Sequence, residues 1–205
     1  MEADATAPHR RTTYHHGDLK AALVEAGIAM LEEVGPERLT LRGIAARVGV
    51  SHTAPKNHFD GLRGLLTAIA AEGFRRHAAA MTEAVPEDAD PQDRLRAAAE
   101  GYAAFARANP ALFRLMFNPG LSDPLDPALQ EAGAASYAVL ARIARGLDWR
   151  PLDGSAPTAR KTELMLWSLV HGYATLNVSE MAGPDGECRP AGITEVMPWM
   201  DYQGD

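Results

Sequence analysis

Residues 39–59 read Leu-Thr-Leu-Arg-Gly-Ile-Ala-Ala-Arg-Val-Gly-Val-Ser-His-Thr-Ala-Pro-Lys-Asn-His-Phe. The spacing predicts two short helices meeting at a tight glycine turn. Thr40 can cap the first helix, whose buried side is Leu41, Ile44, Ala45 and Val48, and Gly49 can take the left-handed conformation that the corner needs. Val50 then fills the corner. Ser51 or Thr53 is expected to cap the second helix. Pro55 favours Thr53, because a proline just inside a helix gives up no hydrogen bond. The exposed side of that second helix, placed at 53–60, would carry His52, Thr53, Lys56 and Asn57, groups able to meet base edges and phosphates, while Phe59 ties it to the body. On spacing alone, an ordinary pair of surface helices satisfies the pattern as well as a DNA reader does.

Outward from this motif the chain reads as all-α. Ala, Leu, Arg and Glu dominate, aromatic residues are 6% of the 205, and β-branched runs are scarce. Turn residues at Val34-Gly35-Pro36, Val85-Pro86, Asn109-Pro110, Asn118-Pro119-Gly120, Asp123-Pro124, Asp126-Pro127, Pro151-Leu152-Asp153-Gly154 and Gly183-Pro184-Asp185-Gly186 punctuate about nine helices. Their expected spans are 17–34, 40–48, 53–60, 63–83, 91–108, 110–117, 127–148, 157–182 and 192–202. Asn109 before Pro110 predicts an N-cap followed by proline at the first helical position. The expected organisation is a flexible arm at 1–16, a three-helix head at 17–77 with its motif at 40–59, and a larger helical body at 78–205.

Charge divides along the same line. The net charge is −7, yet residues 1–81 hold ten basic and nine acidic side chains, whereas 82–205 hold ten and eighteen. Only the N-terminal third is fit to approach phosphates. The single cysteine, Cys188, cannot close an internal disulfide, the N-terminus has no apolar signal stretch, and apolar runs stop short of a membrane span; a cytoplasmic location is expected. There is no Gly-rich phosphate loop, no Gly-x-Ser-x-Gly and no His-Glu-x-x-His, and His15, His16, His52 and His58 are too scattered for a metal site. Neither catalysis nor a cofactor is expected.

The stretch from Tyr14-His15-His16-Gly17-Asp18-Leu19 through Leu65-Leu66 resembles the N-terminal domain of the TetR family of bacterial regulators. The likeness rests on Val34-Gly35 closing an alanine-rich helix, Leu39-Thr40-Leu41-Arg42, Ile44-Ala45, Gly49-Val50-Ser51, His58-Phe59 and Leu65-Leu66. Trp167, His171 and Gly172 are spaced like the signature of the family's WHG-type C-terminal domain. Two departures stand out: Lys56 replaces the usual aromatic and Leu62 the usual lysine or arginine, with Arg63 and Lys56 expected to compensate.

The resemblance implies a DNA-binding repressor, Thr40, Arg42, Ser51, His52, Thr53, Lys56, Asn57 and His58 being its candidate DNA contacts. It also implies a homodimer on a palindromic operator and release by a small effector. The apolar segment 164–176 fits dimerisation, although a helix enclosed by its own domain would look the same. Tyr102, Phe105, Phe113, Met116, Phe117, Met165, Leu169, His171 and Tyr173 are the candidate lining of a largely apolar effector site, and core packing explains the same stripes. Arg10 and Arg11 are placed to add an arm along the DNA backbone. An effector-independent DNA-binding factor and a plain protein-interaction bundle are the rival readings.

Overall fold

The computed structural model describes residues 16–83, 85, 88–178 and 191–202. Arg10, Arg11, Tyr14, His15, the turn at 183–186 and Cys188 therefore lie outside the described residues. Among the described residues the chain forms eight α-helices: α1 (His16–Val34), α2 (Leu41–Val48), α3 (Gly61–Glu83), α4 (Pro91–Ala108), α5 (Pro110–Met116), α6 (Pro127–Ala144), α7 (Ala159–Val178) and α8 (Ile193–Val196). Two strands, β1 (Leu147–Asp148) and β2 (Asp201–Tyr202), pair antiparallel with Leu147 opposite Tyr202. The chain is all-α, as its composition predicts.

Local chemistry places four of the eight helix starts. Thr40, Asp90 and Asp126 sit in extended conformations, and their side chains accept from the backbone N–H groups of Gly43, Asp93 and Leu129. Pro91, Pro110 and Pro127 occupy first helical positions, where the missing donor costs nothing. Gly49 ends α2 with φ 78, a left-handed conformation that glycine takes without a Cβ penalty.

Helix α3 is the spine. It packs on α1, α4, α5 and α6. Leu65, Leu66, Ile69, Ala70, Ala71, His77 and Met81 are buried along it, joining the head's Leu23, Leu31 and Ile44 to the body's Tyr102, Leu112 and Leu140 in one core. The helices approach closely where Gly101 of α4 faces α3: a Cβ there would lie 2.1 Å from the carbonyl oxygen of Ala80.

Three expected helices differ. The 127–148 helix stops at Ala144, because Arg145 turns extended and Gly146 takes φ 79, releasing Leu147 and Asp148 to pair with β2. The 192–202 helix is a single turn, since Met197 is extended and Pro198 offers no backbone donor. The 53–60 helix is a four-residue 3₁₀ turn, Ala54–Asn57. The 157–182 helix is described as Ala159–Val178, and its remaining C-terminal residues lie outside the described ones.

Candidate functional site

The corner between α2 and the 3₁₀ turn is built as its sequence predicts at Thr40 and Gly49 and differently at Thr53. Thr53 lies in right-handed helical space, and its side chain caps nothing; its hydroxyl meets that of Ser51 at 3.1 Å. The N–H groups of Ala54, Lys56 and His58 each bond the carbonyl three residues back. Pro55 has no donor, and Gly61, with φ 66, starts the next element, so only one turn of chain is available; a single turn closes most readily with such short-range bonds. Buried Pro55 and Phe59 press the turn onto the head. His52, Thr53, Lys56 and Asn57 point outward together with Ser51, Thr40 and Arg42, all exposed, while His58 is half-buried.

The surrounding cations are not equivalent. Arg47 is held by Glu33 through two contacts of 2.6 and 2.8 Å, which keep the Glu33 carboxyl below its ordinary range. The Arg63 guanidinium donates to the carbonyl of Ser122, at 3.0 and 3.2 Å, on the loop before α6. Leu62 beside it packs half-buried against the core. Arg42 and Lys56 take part in none of the ion pairs among the described residues.

In the body, α3, α4, α6 and α7 surround a cavity of about 230 Å³, lined by Phe74, His77, Met81, Tyr102, Phe117, Gly133, Ser136, Tyr137, Leu140 and Trp167. Of the residues expected there, Tyr102 and Phe117 line it. His171 stands one layer behind: its Nδ1 meets the Tyr102 hydroxyl at 2.9 Å, and its ring is 4.5 Å from Phe117. Phe105, Phe113 and Met116 are core residues, the last filling the space over Gly73. Met165, Leu169 and Tyr173 are half-buried on α7 and do not reach the cavity; the Tyr173 hydroxyl donates to the carbonyl of Ala191. The contributions of α3 and α6 were missed, although Phe74, His77 and Met81 recur at i, i+3 and i+7 on one helix face, which is the signal that finds them.

Burial sets the cavity's electrostatics. It pushes the His77 imidazole down to about 3, with the neighbouring His171 contributing, and it raises the Tyr102 phenol. His77 is therefore neutral at physiological pH. Its Nδ1 lies 2.8 Å from the Ser136 hydroxyl, and its buried Nε2 has no hydrogen-bond partner among the described residues. Among the described residues no cluster of three or more His, Cys, Asp or Glu is placed to hold a metal, and no helix is long and apolar enough to cross a membrane.

One further contact joins head to body. Asn109 occupies the N-cap position of α5, but its side-chain amide donates backward to the carbonyl of Phe105 and leaves the helix uncapped. The cap comes from α1: the Glu32 carboxylate accepts from the backbone N–H groups of Ala111 at 3.1 Å and Leu112 at 2.8 Å.

Residues 95–190 match the family described as Tetracyclin repressor-like, C-terminal domain, a span that includes Trp167, His171 and Gly172. A structure of a protein of unknown function from Rhodococcus sp. RHA1 is 33% identical, with 91% of this chain and 93% of that one covered and a TM-score of 0.72. A TetR transcriptional regulator from Streptomyces coelicolor is similar at 24% identity over 81% of this chain and 73% of its own, TM-score 0.59. The TetR-family regulator PfmR from Thermus thermophilus is similar at 24% identity over 85% and 91%, TM-score 0.54. No curated protein matches the chain in sequence. With a helix-turn-helix corner at one end and this C-terminal domain at the other, the chain carries the Tetracyclin repressor-like C-terminal domain and the fold of TetR transcriptional regulators.

Proposed function

We propose that this regulator is a homodimeric repressor that reads a palindromic operator and leaves it when a small, largely apolar molecule occupies the body. The observation that carries the DNA-reading half is the outward row of His52, Thr53, Lys56 and Asn57 on a turn anchored by buried Pro55 and Phe59. On this reading Thr40, Ser51 and Arg42 position the head on phosphates, His58 supports the turn, and Thr53, Lys56 and Asn57 meet base edges. The head, residues 17–77, and the body, 78–205, share the continuous helix α3, which is the lever between them.

Dimerisation uses α6 and α7. Leu164 and Leu176 on α7 are 52% and 56% exposed, and a Cβ added at Gly172 would meet nothing within 4 Å, so this apolar face is open to a partner helix. A dimer sets two turns into successive major grooves about 34–36 Å apart, and an effector that favours another spacing weakens operator binding by its differential affinity for the two states. The 230 Å³ cavity supports effector capture over an effector-independent factor.

Selection from a random DNA pool tests the reading. A palindrome whose enrichment disappears in Lys56→Ala and Asn57→Ala is the expected result. Binding that is only salt-sensitive, with no enriched sequence, would remove the operator-reading claim.

A further inference from the structure

The cavity's lining restricts what it can hold. Phe74, Met81, Phe117, Leu140 and Trp167 supply hydrocarbon and aromatic surface, and no lysine, arginine, aspartate or glutamate lines it. An ionised ligand would find no counter-charge there, and a buried charge without a partner is strongly disfavoured. Its 230 Å³ falls below the range of drug-sized sites, which begins near ~300 Å³.

Besides the Trp167 indole, whose N–H is directed at the Tyr102 hydroxyl, four polar side chains line the cavity, and two are already committed. The Tyr102 hydroxyl is paired with His171, and the Tyr137 hydroxyl donates to Glu163 and accepts from Arg160. The remaining two form the Ser136–His77 pair. Thr67, Thr82 and Thr162 return their hydroxyls to carbonyls four residues back in their own helices, whereas Ser136 sends its hydroxyl across to His77 Nδ1, leaving His77 Nε2 unpartnered and Ser136 Oγ with spare capacity. A hydroxyl both donates and accepts, so it can complete this pair in either imidazole tautomer. A carbonyl can do so in only one.

We infer that the cavity takes an uncharged molecule of about monocyclic-aromatic size, apolar over most of its surface, with one hydroxyl that hydrogen-bonds the Ser136–His77 pair. This rests on the reading of the cavity as the effector site. The aromatic edges of Phe74, Phe117 and Trp167 hold the ring, and the hydroxyl fixes its orientation.

Titration calorimetry on the full chain tests it, with phenol, benzyl alcohol and methylphenols set against benzoate and benzylamine. The alcohols and phenols bind, and the ions bind at least tenfold more weakly. Ser136→Ala weakens the hydroxyl-bearing probes roughly three- to tenfold and leaves toluene unaffected. Gly133→Leu fills the cavity: a Cβ at Gly133 meets nothing within 4 Å, so the fold, followed by circular dichroism, is kept while all binding is lost. If benzoate or benzylamine binds as tightly and Gly133→Leu abolishes it, the site stands and the ligand class is overturned. Binding that survives Gly133→Leu, or no binding by any probe, overturns the assignment of the cavity itself.

Discussion

Replacing Glu32 by alanine probes whether the head and the body are mechanically joined through the first turn of α5. The Glu32 carboxylate is partly buried and caps two N–H groups that α5 leaves free, at 2.8 and 3.1 Å. Losing a helix cap costs about 1 kcal/mol, and removing a negative charge from a helix N-terminus adds about 0.3–1 kcal/mol. Water replaces part of what is lost at this partly exposed site, so Glu32→Ala should destabilise the chain by ~1–2 kcal/mol. Glu32→Gln, which keeps one acceptor without the charge, should cost about half of that. A chain of this length loses ~2–4 °C of Tm per kcal/mol.

Helix α5 leads directly to Phe117, which lines the cavity, so on the proposed reading the same bonds would connect an effector to α1 and hence to the helix-turn-helix corner. Effector coupling in allosteric proteins is typically ~1–3 kcal/mol. Glu32→Ala should remove a measurable part of it, seen as a smaller effector-induced loss of operator affinity in fluorescence anisotropy. Glu33→Ala is the control, since Glu33 is exposed and pairs only with Arg47 within the head. If the two variants share the same denaturation midpoint and the same effector response, the α1–α5 joint carries neither stability nor signal, and the argument fails.

Other consequences are as direct. His77 is neutral in the folded chain down to about pH 3, whereas an unfolded histidine takes up its proton near 6.5; stability contributed by this site is full above pH 6.5 and lost as pH falls toward 3. Urea unfolding should show the wild type losing ~3 kcal/mol more than His77→Gln between pH 7 and 4, and equal losses would show that His77 is not the titrating group. Leu164→Glu with Leu176→Glu should convert the proposed dimer to monomer by light scattering while leaving helicity unchanged; an unaltered dimer would move the interface off α7. Gly101→Ala places a methyl on the Ala80 carbonyl and should cost ~1–3 kcal/mol by thermal denaturation, whereas Gly133→Ala, which meets open space, should be neutral or stabilising.

What the sequence made legible is what neighbouring residues decide. Thr40, Gly49, Pro91, Pro110 and Pro127 act over one turn of chain, and their helices start or stop where those residues place them. The 3₁₀ turn was hidden because the expectation weighed Pro55 as a helix-starting residue and ignored Gly61, whose positive φ cuts the segment to one turn. The cavity was half legible. The aromatic stripe of α4 and α5 was visible, but a stripe does not reveal which side faces a void, and only Tyr102 and Phe117 do.

The contacts that organise the site are the ones no local pattern encodes: Leu112 to Glu32 spans 80 residues, and His77 to Ser136 and Arg63 to Ser122 each span 59. Two of the three tie the head to the body, through α5 and through the loop before α6. The third sits inside the cavity and joins α3, which carries Arg63, to α6, which follows the Ser122 loop. A ligand that hydrogen-bonds the Ser136–His77 pair therefore touches α3 and α6 at once. On α3, Arg63 donates to the Ser122 carbonyl and the Thr67 hydroxyl accepts from the N–H of Asp123 in the same loop, and Arg63 lies one helical turn from Asp60 at the end of the helix-turn-helix corner. On the proposed reading, Arg63 and Thr67 stand where a change at the cavity would reach the head.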